Sequence, residues 1–125
     1  MSNQKNLKRT HARELLKKWG NWPVMMEHLL RERSKAQACL GEDSGALGNS
    51  LLAEIDANIE ALISTRNVIA KLVAQLPFEE FQVLILRYEK NMTWVQIGKR
   101  LSYDERTVRR YEVHAADTIA GWLES

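Results

Sequence analysis

Along most of this 125-residue chain, apolar side chains recur at steps of three and four, the spacing that collects them on one face of an α-helix. The first such run, Leu7 to Trp19, sets Leu7, His11, Leu15, Leu16 and Trp19 near one face and Lys8, Arg9, Lys17 and Lys18 elsewhere. Gly20 ends it. Asn21, Trp22 and Pro23 then open a second helix, where proline is tolerated because the first helical N–H groups have no intrahelical partner. That helix runs to about Leu40, with Trp22, Met25, Met26, Leu29, Leu30, Ala36 and Leu40 as a core-facing stripe. The stretch GEDSGALGNS, Gly41 to Ser50, has three glycines and no periodicity, and it reads as a flexible loop.

The helix expected over Leu51 to Leu76 is the longest. Its seam is Leu52, Ile55, Ile59, Leu62, Arg66, Ile69, Val73 and Leu76, alternating threes and fours like a heptad register with one charged interruption at Arg66. Such a seam requires a partner helix. Two are open: the helix of Pro23 to Leu40 in the same chain, giving a hairpin, or the same helix of a second subunit, giving a homodimer through residues 51–76. Pro77 disfavours helical geometry at Leu76 and can itself open a new helix, so the chain should bend there. The pattern divides the chain into a helical region, residues 1–76, and a C-terminal module, residues 77–125. The expected fold class is all-α.

Within the module, Phe78, Phe81, Val83, Leu84, Ile85, Leu86 and Tyr88 make a buried support helix from Pro77 to Lys90. Glu79, Glu80 and Gln82 fall in its first turns, where the helix dipole favours acidic side chains. Lys90 and Asn91 close it. Thr93 to Gln96 then has the T-x-x-Q spacing of a capping box, so a further helix starts at Trp94 and runs through Leu101. Val95, Ile97 and Leu101 are available for the core, and Gly98 is small enough to let a neighbouring helix come close. Ser102 and Tyr103 break this helix, and Asp104 caps the next, with Glu105 favouring the same positive end. On the last helix Val108, Tyr111, Ala115, Ile119 and Trp122 share one side. Arg106, Arg110, Val113 and Asp117 lie opposite, flanked by Arg109 and His114.

Two capped helices joined by a three-residue break, the second needing only one apolar stripe to dock, match a helix-turn-helix. A guanidinium can pair with guanine O6 and N7 through two donors, or fork onto a phosphate. Arg106 and Arg110 point most directly away from the stripe and are the expected base contacts. Arg109, Lys99 and Arg100 are better placed for phosphates, and Thr93 with its neighbouring N–H groups can hold a phosphate at a helix N-terminus.

Composition narrows the function further. Net charge is only +2, yet residues 1–40 hold nine Lys or Arg against three acidic residues, residues 41–80 two against seven, and residues 81–125 seven against six. A basic front can face a polyanion while the whole chain remains soluble. The single cysteine, Cys39, forms no internal disulfide, and no signal-peptide pattern appears, so a reducing cytoplasm is the expected setting. No apolar run approaches the roughly 18 residues of a membrane span. His11, His28, His114 and Cys39 lack metal-ligand spacing, and neither a glycine-rich phosphate loop nor a nucleophile motif is present. No enzyme, cofactor or metal is expected. Trp19, Trp22, Trp94 and Trp122 read as core anchors, with Trp94 also near a bound phosphate.

The segment LPFEEFQVLILRYEKNMTWVQIGKRLSYDERTVRRYEVHAADTIAGWL resembles region 4 of bacterial sigma factors over about 48 residues. The resemblance rests on Leu76 and Pro77 at the entry, Leu86 to Tyr88, Ile97 and Gly98 in the bracing helix, then Asp104 and Thr107 to Arg109. It implies a helix-turn-helix whose recognition helix, residues 105–118, enters the major groove of a promoter, with Glu105, Arg106, Arg109 and Arg110 at the groove. Where that family has a glycine in the turn, this chain has Ser102 and then Tyr103. The turn is therefore less tight, or it holds a non-glycine residue in the left-handed region. Nothing upstream resembles the promoter-melting or clamp-binding parts of a sigma factor. A helical first half joined to this module is similar to small phage transcriptional regulators of the RinA and ArpU type. The resemblance thus implies double-stranded DNA as partner, with RNA polymerase as a second. The rival readings are a DNA-packaging recognition protein like a small terminase subunit, and a polymerase-binding adaptor that hardly touches DNA.

Overall fold

The computed structural model describes residues 2–40 and 46–124, and these are all-α, with no strand among them. Six helices follow in order: α1 (Ser2–Gly20), α2 (Trp22–Leu40), α3 (Ala46–Ala74), α4 (Phe78–Leu84), α5 (Trp94–Leu101) and α6 (Glu105–Glu124). A π-helical turn, Ile85–Glu89, continues α4. The expected loop of Gly41 to Ser50 is shorter than its composition suggested, because Ala46 to Ser50 are helical. Once a long helix is nucleated, each added residue gains a backbone hydrogen bond, and a loop-like composition next to it is drawn in. The remainder of that loop, Gly41 to Gly45, lies outside the described residues.

The chain divides into two compact units, Trp22–Asn67 and a unit built from Met1–Asn21 with Val68–Ser125. The bend before Pro77 is present: α3 tightens at its end, with Gln75 N–H donating to Leu72 O at 3.1 Å and Leu76 N–H to Val73 O at 3.2 Å. Packing nevertheless follows other limits than 1–76 and 77–125. Ile69, Val73 and Leu76 join Ala12 and Leu16 of α1, Leu84 and Tyr88, and Ala115, Ile119 and Ala120 of α6 in one core. A second core gathers Val83, Leu86, Ile97 and Val108, with Met92, Trp94, Leu101, Tyr103 and Tyr111 around it. Burying each large aliphatic side chain of these cores stabilises the fold by about 1.5–3 kcal/mol. Apolar burial is therefore the main driving force, and polar contacts decide which helix faces which.

The face that α1 buries matches the expected one in Leu15, Leu16 and Trp19 and departs from it at Leu7 and His11, which are exposed. Leu7 is 69% exposed, whereas Ala12 and Leu16 are fully buried. The reason lies in two ion pairs to α6. Arg9 Nε and Nη2 donate to the Asp117 carboxylate at 2.7 and 3.0 Å, and Arg13 Nε and Nη2 donate to that of Glu112 at 3.0 and 2.6 Å. Tyr88 Oη donates to the same Glu112 at 2.7 Å. Asp117, read as part of an open face, is thus occupied by α1. Glu112 is 1% exposed and occupies the buried stripe itself. Burial, then the Glu112 charge, raises the Tyr88 phenol, so it stays a neutral donor.

Gly20 does more than end α1. A Cβ there would lie 2.0 Å from Tyr88 O, so the end of α1 and the π turn meet backbone to backbone. The π geometry is closed by Lys90 N–H donating to Ile85 O at 3.1 Å, and Asn91 follows at φ 55°.

In the other unit, Trp22 and Arg33 of α2 meet Arg66 and Asp56 of α3, respectively. One helix runs up as the other runs down, so they form an antiparallel hairpin. Arg66, the charged interruption in the seam, sets its guanidinium 4.5 Å from the Trp22 ring centroid. A cation over an aromatic face replaces the missing apolar contact.

Arg13→Ala leaves buried Glu112 without a cationic partner and with only the Tyr88 hydrogen bond, and should cost about 2–4 kcal/mol, towards the lower end for buried pairs because the Arg13 head is partly exposed. Lys8→Ala, which breaks an exposed pair to Glu124, should cost less than about 1 kcal/mol. Gly20→Ala should cost about 1–3 kcal/mol through backbone overpacking. Urea unfolding of the three variants checks this ranking.

Candidate nucleic-acid interface

Thr93 opens α5 with a full capping box: Gln96 N–H donates to Thr93 Oγ1 at 3.2 Å, and Thr93 N–H donates to Gln96 Oε1 at 2.9 Å. Ile97 is buried while Val95, expected to be available for the core, is 50% exposed. At the end of α5, Ser102 takes φ 62° and ψ 39°, the left-handed conformation, and Tyr103 N–H donates to Gly98 O at 2.9 Å. A Cβ on Gly98 would lie 2.7 Å from Tyr103 O. Gly98 is therefore needed by the turn folding back on its own helix, where a neighbouring helix had been the expected reason. The glycine requirement of the turn is met one turn earlier, and Ser102 takes the left-handed residue at a cost of about 1–3 kcal/mol. The rings of Tyr103 and Tyr111 sit 5.5 Å apart at 54°, fixing the turn against α6.

Asp104 then caps α6. Thr107 N–H donates to Asp104 Oδ1 at 2.7 Å. Hydrogen bonding from Thr107, then the positive charges of Arg110 and Arg106, hold the Asp104 carboxyl below its ordinary range. This is the cap expected from the sequence, and it sets the direction in which α6 leaves the turn.

The side chains assigned to nucleic acid fall into two groups. Arg106 and Arg110 are exposed and make no hydrogen bond or ion pair among the described residues. Arg109 is engaged: its Nη2 donates to Glu105 Oε1 at 2.8 Å, and its guanidinium lies 5.6 Å from the Trp94 ring centroid. Glu105 is consequently an acceptor already in use. Lys99 and Arg100 are exposed in the last turn of α5, and Thr93 is exposed at its first.

Three side chains carry structure that the sequence reading passed over. Arg87 stacks on Trp94 with its guanidinium 4.0 Å from the ring centroid, and donates to Met92 O at 3.1 Å. Glu80, expected to serve the dipole of α4, is 5% exposed, and its Oε1 lies 2.7 Å from His114 Nδ1. Glu112 closes the list. A signal existed for both glutamates: Glu80 precedes Val83 and Leu84 by three and four residues, and Glu112 fills the step between Val108 and Ala115. Only their charge kept them out of the apolar stripes. No group of three His, Cys, Asp or Glu that could hold a metal occurs among the described residues, and none of their helices is long and apolar enough to cross a membrane.

Because the folded Asp104 carboxyl sits below the unfolded one, its contribution should be complete above the ordinary aspartate range and vanish as pH falls through the depressed value. The protection of the Thr107 amide relative to its intrinsic exchange rate should therefore fall only on strong acidification. Asp104→Asn, which keeps a capping oxygen without the titration, should flatten this dependence.

The family model of a protein of unknown function, DUF722, matches residues 24–121, from the start of α2 to near the end of α6. No curated protein and no solved structure matches the chain. On the extent of the family match, the chain belongs to the DUF722 family.

Proposed function

We propose that this chain is a sequence-specific, double-stranded DNA-binding regulator of transcription, encoded by a phage or prophage and acting at a promoter. In this reading α5, the break at 102–104 and α6 form a helix-turn-helix of sigma region 4 type. The observation that carries it is the division of labour along α6: Val108, Glu112, Ala115, Ala116 and Ile119 are buried, while Arg106 and Arg110 stand exposed and unpaired near its capped start. A helix with its docking face fully used and two free guanidinium groups in its first turns fits a major groove.

Arg106 and Arg110 read base edges. Glu105 can accept from cytosine N4 once Arg109 turns to a phosphate, and Lys99, Arg100 and the Thr93 end of α5 hold the backbone on either side. The chain acts by binding, with no cofactor; the seam of α3 is buried within the chain, so a homodimer through residues 51–76 would use its other face, where Leu51 and Ile63 are exposed. RNA polymerase is the further partner that promoter action implies.

Alanine at Arg106 or Arg110 should each weaken specific binding by about 1–3 kcal/mol and relax sequence choice at one position, measured by titrating genomic fragments selected with the wild-type protein. Binding should also fall steeply with salt. Specific binding that survives the double substitution would sink the recognition-helix assignment.

A further inference from the structure

The role of the basic first helix is open in the reading above, and its charges are not equivalent. Lys8, Arg9 and Arg13 are each paired to a carboxylate of α6. Lys17 is exposed and makes no ion pair among the described residues. It lines a cleft of about 350 Å³ with Arg13, Arg87, Trp94, Arg109 and Glu112. Four cations face one carboxylate there, and that carboxylate is already matched by Arg13 and Tyr88. Arg109 is shared with Glu105, so Lys17 and Arg87 remain as cations without a carboxylate partner among the described residues. Arg87 and Arg109 are both held at the Trp94 ring, at 4.0 and 5.6 Å from its centroid, so their guanidinium groups are positioned before any ligand arrives.

We propose that this cleft seats a phosphate of the DNA backbone and that Lys17 brings α1 into the interface. This rests on the DNA reading of α6 and deepens it. The chemistry is that of a phosphodiester: a tetrahedral anion takes forked donors from arginine and a point charge from lysine, and it needs no base identity. Its place fits, since Trp94 opens α5 and Arg109 belongs to the first turns of α6, beside the groove-facing residues. The contact adds affinity without sequence choice.

Two measurements test it on the full chain. In duplex titrations, Lys17→Ala should make the log–log salt slope shallower by about 1 and weaken binding about tenfold at 0.1 M salt, equally for specific and unrelated sequences. Lys18→Ala, on the same helix but outside the cleft, should do neither. Separately, 5-fluorotryptophan labelling resolves the four indoles, and inorganic tripolyphosphate should shift the Trp94 resonance saturably in the wild type and far less in Lys17→Ala. An unchanged salt slope in Lys17→Ala, with specific binding otherwise intact, overturns the seat and leaves the α6 reading standing. Equal losses in the Lys17 and Lys18 variants also overturn it, since general helix charge then accounts for the effect. A Lys17-dependent Trp94 shift without any duplex binding shows a phosphate site in the cleft and overturns DNA as its source, together with the DNA reading of α6.

Discussion

A carboxylate with almost no contact with water governs how the larger unit is put together. Glu112 is accommodated in the interior because Arg13 gives it two hydrogen bonds and Tyr88 a third. An isolated charge at that depth is strongly unfavourable, so every arrangement that leaves Glu112 alone is removed from competition. The three donors and the acceptor come from α1, the π turn and α6. Satisfying one side chain thus fixes the mutual register of three elements that apolar contacts alone would hold less specifically. The Arg9–Asp117 pair repeats the constraint less than two turns further along both helices.

How far the sequence disclosed this depends on the kind of signal. Local chemistry was legible: the Thr93–Gln96 box, the Asp104 cap, the start of α5 at Trp94 and the bend before Pro77 are all decided by residues within a few positions of each other. The seam of α3 was legible too, because Ile55, Leu62, Ile69, Val73 and Leu76 announce burial by their spacing. Periodicity cannot say which helix covers which face, so α1 was placed with the first half although its partner lies about a hundred residues away. The partners of charged residues inside a stripe are hidden for a related reason. Glu80, Glu112 and Arg66 have core spacing, but their partners, His114, Arg13 with Tyr88, and Trp22, are distant in sequence.

The glycines follow the same logic. Gly98 sits where the chain folds back at once, and the carbonyl that excludes a side chain belongs to Tyr103, five residues on. Gly20 admits the backbone of Tyr88, which no local pattern announces. The left-handed residue of the turn then falls on Ser102, with the Tyr103 and Tyr111 rings holding the strained link in place. The turn is therefore specified by packing on both sides of it, and less by the residue that adopts the unusual angle.

The docking of α1 on α6 also orders events in time. Its ion pairs join residues 108 and 99 positions apart. A ribosome releases the chain from its N-terminus at roughly 5–20 residues per second, so α1 emerges many seconds before the carboxylates that receive it. Through that interval Arg9, Arg13 and the apolar pair Ala12 and Leu16 have no seat. The α2–α3 hairpin draws its cross-helix contacts from residues 22–66 and can form meanwhile. The larger unit closes last: the start of α6 packs on Val83, Leu86 and Ile97, and its later turns gain their full support when the earliest-made helix comes back to meet the latest.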